Sequence, residues 1–428
     1  MLTRRDTLRI LGAAGLAAPV LTACGSGSAA DPAGMRLVSA DVGRSAGTSS
    51  AVPGVVRAMG ALTDDLWGLL GPADRNLALS PYSIAVALAM TANGAAGRTR
   101  SQMLNVLHVD SLATYNGGIG ALTGAIEGLA GPVTREDETT GQIALATANQ
   151  LFGDGGTTWG RAFLTVLAKE YGAGMRTVDF RHAAEAARTL INTWTADRTH
   201  DRIPAILPPG VVDDSTRLVL VNALYLKAPW LSPFEKASTR PHPFHRADGT
   251  TVSVDMMSSG ADGGAVWLQG RHYDGARLPY AGDTLAMTLA VPVAGHESAA
   301  LTEVLSRLTE RGDQGGLELA VPRWTFRTPS DLKPPLRQLG MTDAFTGDAD
   351  FHPMSPSDPL YVSDVLHDAF IAVDENGTEA AAATAVVMGE TSAQVTRHTL
   401  VVDRPFLFVI HDTAYGTPLF VGRVADPS

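Results

Sequence analysis

The stretch DENGTEAAAATAVVMGETSAQ, Asp374 to Gln394, decides how this chain is read. Four alanines, Ala380 to Ala383, stand behind Gly377-Thr378-Glu379, and only small or β-branched residues follow up to Met388. Alanine is the best helix former, and Thr378 is a residue type that caps a helix opening at Glu379. Taken alone, the segment reads as a helix. A flexible linker and a strand awaiting a sheet are the competing readings, and the rest of the chain has to choose between them.

The chain has 428 residues, 45% of them hydrophobic, enough to bury one large core or two smaller ones. Its formal charge of -11 repels phosphate backbones, and with no basic tract nucleic acid is excluded as an expected partner.

The N-terminus reads as a processing signal. In residues 1–23 a twin-arginine pair, Arg4 and Arg5, precedes an apolar run from Ile10 to Val20 that is too short to span a bilayer. Leu21-Thr22-Ala23-Cys24 resembles a bacterial lipobox, with Cys24 as the lipid attachment point. This predicts export and anchoring to the outer face of a bacterial cell membrane, a released form also being allowed. The arginine pair points to the twin-arginine route, although Thr7 stands where an apolar residue is usual. Cys24 is the only cysteine, so no internal disulfide is available. Residues 24–55 are rich in small and polar residues and read as a flexible tether. The body is then residues 56–428, without an internal repeat.

Within the body, Val56 to Leu70 places Met59, Leu62, Leu66, Trp67, Leu69 and Leu70 at helical spacing. Pro81 to Asn93 follows Ser80, has a first-turn proline and is apolar almost all round, which predicts a buried helix. Ala183 to Arg198 reads as a third helix. Strands are expected at Arg217–Leu226, Asp283–Pro292, Leu317–Trp324, Ala369–Val373 and Pro405–Asp412, continuing into PLFVGRV. Helices early and strands late imply an α+β fold with largely antiparallel sheets.

Catalytic chemistry finds no foothold. No G-x-S-x-G elbow, H-E-x-x-H pair, phosphate loop or dinucleotide fingerprint occurs. HPFH, His242 to His245, has loose metal spacing, but no third ligand is suggested and a solvated loop is the expectation. DADFH, around Asp348, lacks the glycine and glutamate of a calcium loop and reads as a turn. No enzyme, metal or cofactor is expected.

Four segments carry a pattern: NLALSPYSIAVALAMTANGAAGRT (from Asn76), LVLVNALYLKAPWLSPFEKASTRPHPF (from Leu218), VPRWTFRTPSDLKPPLRQLGMTDAF (from Val321) and LYVSDVLHDAFIAVDENGTEAAAAT (from Leu360). Together with the closing RPFLFVIHDTAYGTPLFVGRV, they resemble the serpins, the serine protease inhibitors. The resemblance runs from about Val56 to Pro427 in the family's order. It implies three β-sheets, about eight to nine helices and an exposed reactive-centre loop. It also implies a monomer whose partner is a serine protease, held as a covalent acyl complex.

The resemblance reassigns the opening stretch. A protease would cut it, and the freed hinge would enter the central sheet as an added strand. The hinge then comprises Glu375, Asn376, Gly377, Thr378, Glu379, Ala380, Ala381, Ala382, Ala383 and Thr384. Period-two alternation puts Thr378, Ala380, Ala382, Thr384 and Val386 inward and Glu379, Ala381, Ala383 and Ala385 outward. Every inward residue is uncharged, and Glu379 falls outward, where its carboxylate avoids burial. Gly377 serves as a pivot. Ser80, Ser83, Asn222 and His367 match the family's polar cluster that controls parting of the sheet, and Trp230 matches the tryptophan near the point of first insertion. The plain alternative for each is a satisfied core residue.

Counting from Gly377 places the cut between Thr391 and Ser392, whereas counting back from Pro405-Phe406 points near Gln394-Val395, so the loop reads as longer than usual. No Arg or Lys lies between Gly377 and Thr396. Thr391, Met388 and Val387 suit elastase-like or subtilisin-like pockets. The alternative function is a non-inhibitory binding or chaperone module, against which the proline-free hinge GTEAAAAT, with no charge on its inward face, argues.

Overall fold

The strand Leu218–Pro229 is the axis of the architecture. Leu218, Leu220 and Leu224 face one hydrophobic core, and Val219, Val221 and Ala223 face a second on the other side of the sheet. A strand buried on both faces is apolar at consecutive positions, which is why LVLVNALYL shows no alternation. The computed structural model describes residues 31–261, 263–313, 315–379 and 397–428. Cys24, Ala380 to Thr384 and the Thr391-Ser392 bond lie outside them.

Around this axis the described residues form three sheets, of nine, six and four strands. The nine-stranded sheet brings Leu218–Pro229 beside Asp364–Asp374, with Trp324–Asp331 beyond it and Gln150–Asp154 and Thr140–Thr147 on the opposite side. The six-stranded sheet contains Leu285–Pro292, Phe406–Asp412 and Pro418–Val424 and packs behind the first. Eight α-helices complete the described residues: α1 Val52–Trp67, α2 Pro81–Ala92, α3 Gly97–Val106, α4 Leu112–Glu127, α5 Arg161–Tyr171, α6 Phe180–Arg198, α7 Glu297–Ser306 and α8 Lys333–Gln338. The α+β, three-sheet expectation holds. Most strand pairs are antiparallel, and the exception that matters is central: Asp364–Ala369 runs parallel to Val219–Leu224.

Helix α2 is buried along its whole length, as its all-round apolar pattern requires. Helix α1 begins four residues earlier than its periodicity shows, because Pro53 occupies its first turn, where a missing N–H costs nothing. Helix α6 begins at Phe180, where Asp179 accepts the His182 N–H at 3.0 Å, and Ala183 departs from helical geometry at φ -146. Leu317–Trp324 is two strands, Leu317–Pro322 and Trp324–Asp331, which belong to different sheets.

Two readings are corrected. Residues 31–51, assigned to the tether, pack onto the body. Arg36–Val38 pairs antiparallel with Met175–Val178 at the edge of the large sheet, Arg176 pairs with Asp31 at 2.9 Å, and Thr48 N–H donates to the Gly117 carbonyl at 2.7 Å. Small residues that read as a linker are there for fit: a Cβ on Gly47 (φ +73) would come 2.2 Å from the Ala121 nitrogen. His242 to His245 is part of the edge strand Arg240–His245 and not a loop, with Phe244 buried beneath it. Its prolines, Pro241 and Pro243, alternate with paired residues and leave that edge poor in donors.

Candidate functional site

The site begins where two neighbouring strands part. Leu218–Pro229 and Asp364–Asp374 pair directly from Val219↔Asp364 to Leu224↔Ala369 and then separate. Into the far end of the gap comes the short strand Gly377–Thr378. It pairs antiparallel on both sides: Gly377 and Thr378 with Pro229 and Ala228 on one, and with Asp374 and Val373 on the other. The beginning of the hinge is therefore already in the sheet.

Gly377 is required there. Its φ is +147, and a Cβ would lie 2.1 Å from the Ala228 carbonyl oxygen. Thr378 is buried facing inward, its hydroxyl 2.5 Å from the Tyr280 hydroxyl. The preceding turn is held by backbone groups. The Trp230 amide donates to the Asn376 carbonyl at 2.9 Å, its indole N–H donates to the Asp374 carbonyl at 3.0 Å, and its ring stacks on Tyr280 with centroids 4.5 Å apart. Glu375 is buried; its carboxylate accepts the Thr239 hydroxyl at 2.7 Å and lies 3.7 Å from Arg323.

Glu379 leaves the strand. Its N–H still donates to the Ala372 carbonyl at 2.9 Å, but its φ of 49 turns the chain out of extended geometry. The side chain is on the outer face, as alternation requires, yet it is largely covered and ion-paired to Arg202. Burial draws its carboxyl above the ordinary range, against the opposing pull of Arg202.

Midway along the parallel pair lies the polar cluster. Ser80 caps α2, accepting the Ser83 N–H at 3.2 Å, while its own N–H donates to His367 Nε2 at 3.0 Å. A backbone N–H can only donate, so Nε2 carries no proton and Nδ1 does. That Nδ1–H donates to the Asn222 side-chain oxygen. Ser83 donates to the Asn149 side-chain oxygen. Asn222 Nδ2 has no acceptor among the described residues. Burial pushes the His367 imidazole down to about 3. The imidazole is thus neutral across the physiological range and serves as a hydrogen-bonding hub.

The structure therefore gathers Ser80, Ser83, Asn222 and His367 into one cluster and places Trp230 with the inserted hinge residues at the head of the gap. A family model described as Serpin (serine protease inhibitor) matches residues 62–427. The chain belongs to the serpin family. Plasminogen activator inhibitor 1 from Neovison vison is 35% identical over 83% of this chain and 88% of its own length. Leukocyte elastase inhibitor from Sus scrofa is 34% identical, over 82% and 93%. Antithrombin-III from Homo sapiens is 33% identical, over 82% and 76%. Among solved structures, the thermophilic serpin tengpin in its native state superimposes with a TM-score of 0.75 at 26% identity, covering 87% of this chain and 94% of that one. The Manduca sexta serpin-12 shares the fold with a TM-score of 0.73. Serpins are generally serine protease inhibitors, and this serpin carries the family's three-sheet architecture.

Sequence reading missed four contributors: Tyr280, Thr239, Asn149 and Arg202. Tyr280 and Thr239 lie 98 and 136 residues from the hinge partners they touch. Arg202 sits in the loop after α6, 177 residues from Glu379. No local pattern marks a residue whose importance arises only across the gap. Tyr280 alone had a weak signal, as a bulky aromatic directly after a strand.

Proposed function

We propose that this serpin inhibits an elastase-like or subtilisin-like serine protease by loop cleavage followed by insertion of the hinge into the central sheet. The observation that carries this reading is a register. Gly377↔Pro229 and Thr378↔Ala228 define one antiparallel ladder, and Gly377↔Asp374 and Thr378↔Val373 define the other. Extended residue by residue, both ladders bring Thr384 to the same place, opposite Asn222 on one side and His367 on the other. Thr384 would enter between them as they part, on the inward face that Thr378 already occupies. Its hydroxyl can accept the His367 proton and the Asn222 amide together, so insertion would supply the acceptor that the Asn222 amide lacks among the described residues of the uncut form.

The energy source is a sheet whose two central strands run parallel until an antiparallel strand replaces that contact. Each added residue gains net hydrogen bonding of about 0.5–1.5 kcal/mol per bond. About 15 inserted residues at roughly 3.3 Å each carry the acyl-enzyme about 50 Å, and misplacement of the protease's reacting groups arrests deacylation. The bond cut is Thr391-Ser392. Export and a lipid on Cys24 would place the inhibitor at the outer face of the cell membrane, where it meets extracellular proteases.

The deciding experiment mixes the protein with pancreatic elastase and with subtilisin. A detergent-resistant complex and a fragment beginning at Ser392 support the reading. Cleavage without complex, and without a rise in thermal stability, favours a non-inhibitory binding module instead.

A further inference from the structure

The outer face of the gap is a cleft of about 560 Å³, walled by Gln142, Tyr225, Lys227, Ala372 and the loop that follows α6. Two permanent cations on one cleft are unusual for an acidic protein. His200, Arg202 and Lys227 converge on it, and the carboxylate that answers them is Glu379. Asp374, the other acid on its wall, is turned to the Asn376 amide at 2.7 Å. Lys227 and His200 carry no ion pair among the described residues, and the His200 ring leans on Tyr225 with centroids 4.7 Å apart.

Backbone strain collects at the same place. Six non-glycine residues among those described have positive φ, and three of them are His200 at 49, Asp201 at 61 and Glu379 at 49. The first two lie in the segment that delivers His200 and Arg202, and the third is the residue that enters the cleft. Such conformations persist where surrounding contacts over-determine them. Here the contact at the end of the strained segment is one carboxylate reaching Arg202, with Lys227 on the same wall. Glu379 behaves as a tethered ligand that pairs with Arg202 and leaves Lys227 without an ion pair among the described residues.

We propose that this cleft is a binding site for a small dicarboxylate. One carboxylate replaces Glu379 on Arg202, where a planar guanidinium already holds a carboxylate, and the other engages Lys227 with His200 beside it. Displaced, Glu379 no longer has reason to keep its left-handed turn or its bond to the Ala372 carbonyl, and the Gly377–Thr378 strand loosens from the sheet. The site goes beyond the inhibitor reading and does not depend on it, because binding requires no protease.

The test is calorimetric titration of the uncut full-length protein with glutarate, with sodium chloride at matched ionic strength as the control. Saturable one-to-one binding is expected, with faster hydrogen exchange at the Thr378 and Glu379 amides in the bound form. The double variant Arg202→Gln, Lys227→Gln removes charge-assisted bonds and should weaken binding about tenfold or more. Glu379→Gln removes the internal competitor and should tighten it several-fold. The proposal is overturned by heats no different from the salt control, by an affinity that ignores the double variant, or by an affinity that is unchanged or weakened in Glu379→Gln.

Discussion

Asn222 and His367 stand directly opposite one another on parallel strands, and the imidazole Nδ1–H donates to the amide oxygen. The bond joins the two strands that must separate if a further strand is to enter between them. Both partners are almost fully buried. Breaking the bond without replacement would leave polar groups orphaned, and under the proposed insertion Thr384 would be the replacement.

The first prediction follows from that register. Thr384→Val keeps the shape and loses the hydroxyl, so the cleaved form should lose about 1–3 kcal/mol of stability while the uncut form is unaffected. Thr384→Arg would bring a charge into the buried cluster and should convert the inhibitor into a substrate. Electrophoresis after reaction with elastase distinguishes the two variants. Full complex formation by Thr384→Arg would show that the ladders do not extend as argued.

Gly377 offers a separate test. Its positive φ and the close approach of the Ala228 carbonyl leave no room for a Cβ. Gly377→Val should eject the Gly377–Thr378 strand, at a cost of about 1–3 kcal/mol. Hydrogen exchange at Thr378 should rise to that of an open loop, and the thermal midpoint of the uncut form should fall.

Stability should also depend on pH through two buried imidazoles. His367 and His411 are both pushed down to about 3 by burial, below their ordinary value of 6.5. The unfolded chain therefore takes up these protons first as pH falls. Stability is complete above about 6.5 and is lost as pH drops toward about 3. Asp364 works the other way: burial raises it to about 6, so it opposes the loss as pH falls from 6 toward its unfolded value. The net expectation is a falling urea midpoint between pH 6.5 and 4, with a shallower slope in His367→Gln. An identical slope in that variant would remove His367 from the account.

The N-terminal strap is the fourth target. Arg36–Val38 covers the edge strand Met175–Val178, and Met35 is buried beneath it. A chain beginning at Thr48 exposes that edge and that pocket. It should melt several degrees lower and aggregate faster on heating. An unchanged melting curve would mean that the strap contributes nothing to the body.

Much of this protein follows from residue order alone. A double-faced apolar run must be a central strand, an all-round apolar helix must be buried, and an alanine hinge with an uncharged inward face suits a sheet, because burial is a property of each side chain and its period. The motifs also mark Ser80, Ser83, Asn222, His367 and Trp230. What residue order could not decide is which groups meet across the gap. Glu379 reads as a solvated outward charge, yet Arg202 reaches it from a loop 177 residues away. The segment 31–51 reads as a tether, yet its Gly47 fits against α4 and its Arg36–Val38 pairs with the sheet edge. Only the tertiary structure shows that Gly377 and Thr378 stand in the sheet and that Glu379 turns out of extended geometry. Pairing, strain and ion contacts there depend on distances between segments, and a linear chain does not encode those distances locally.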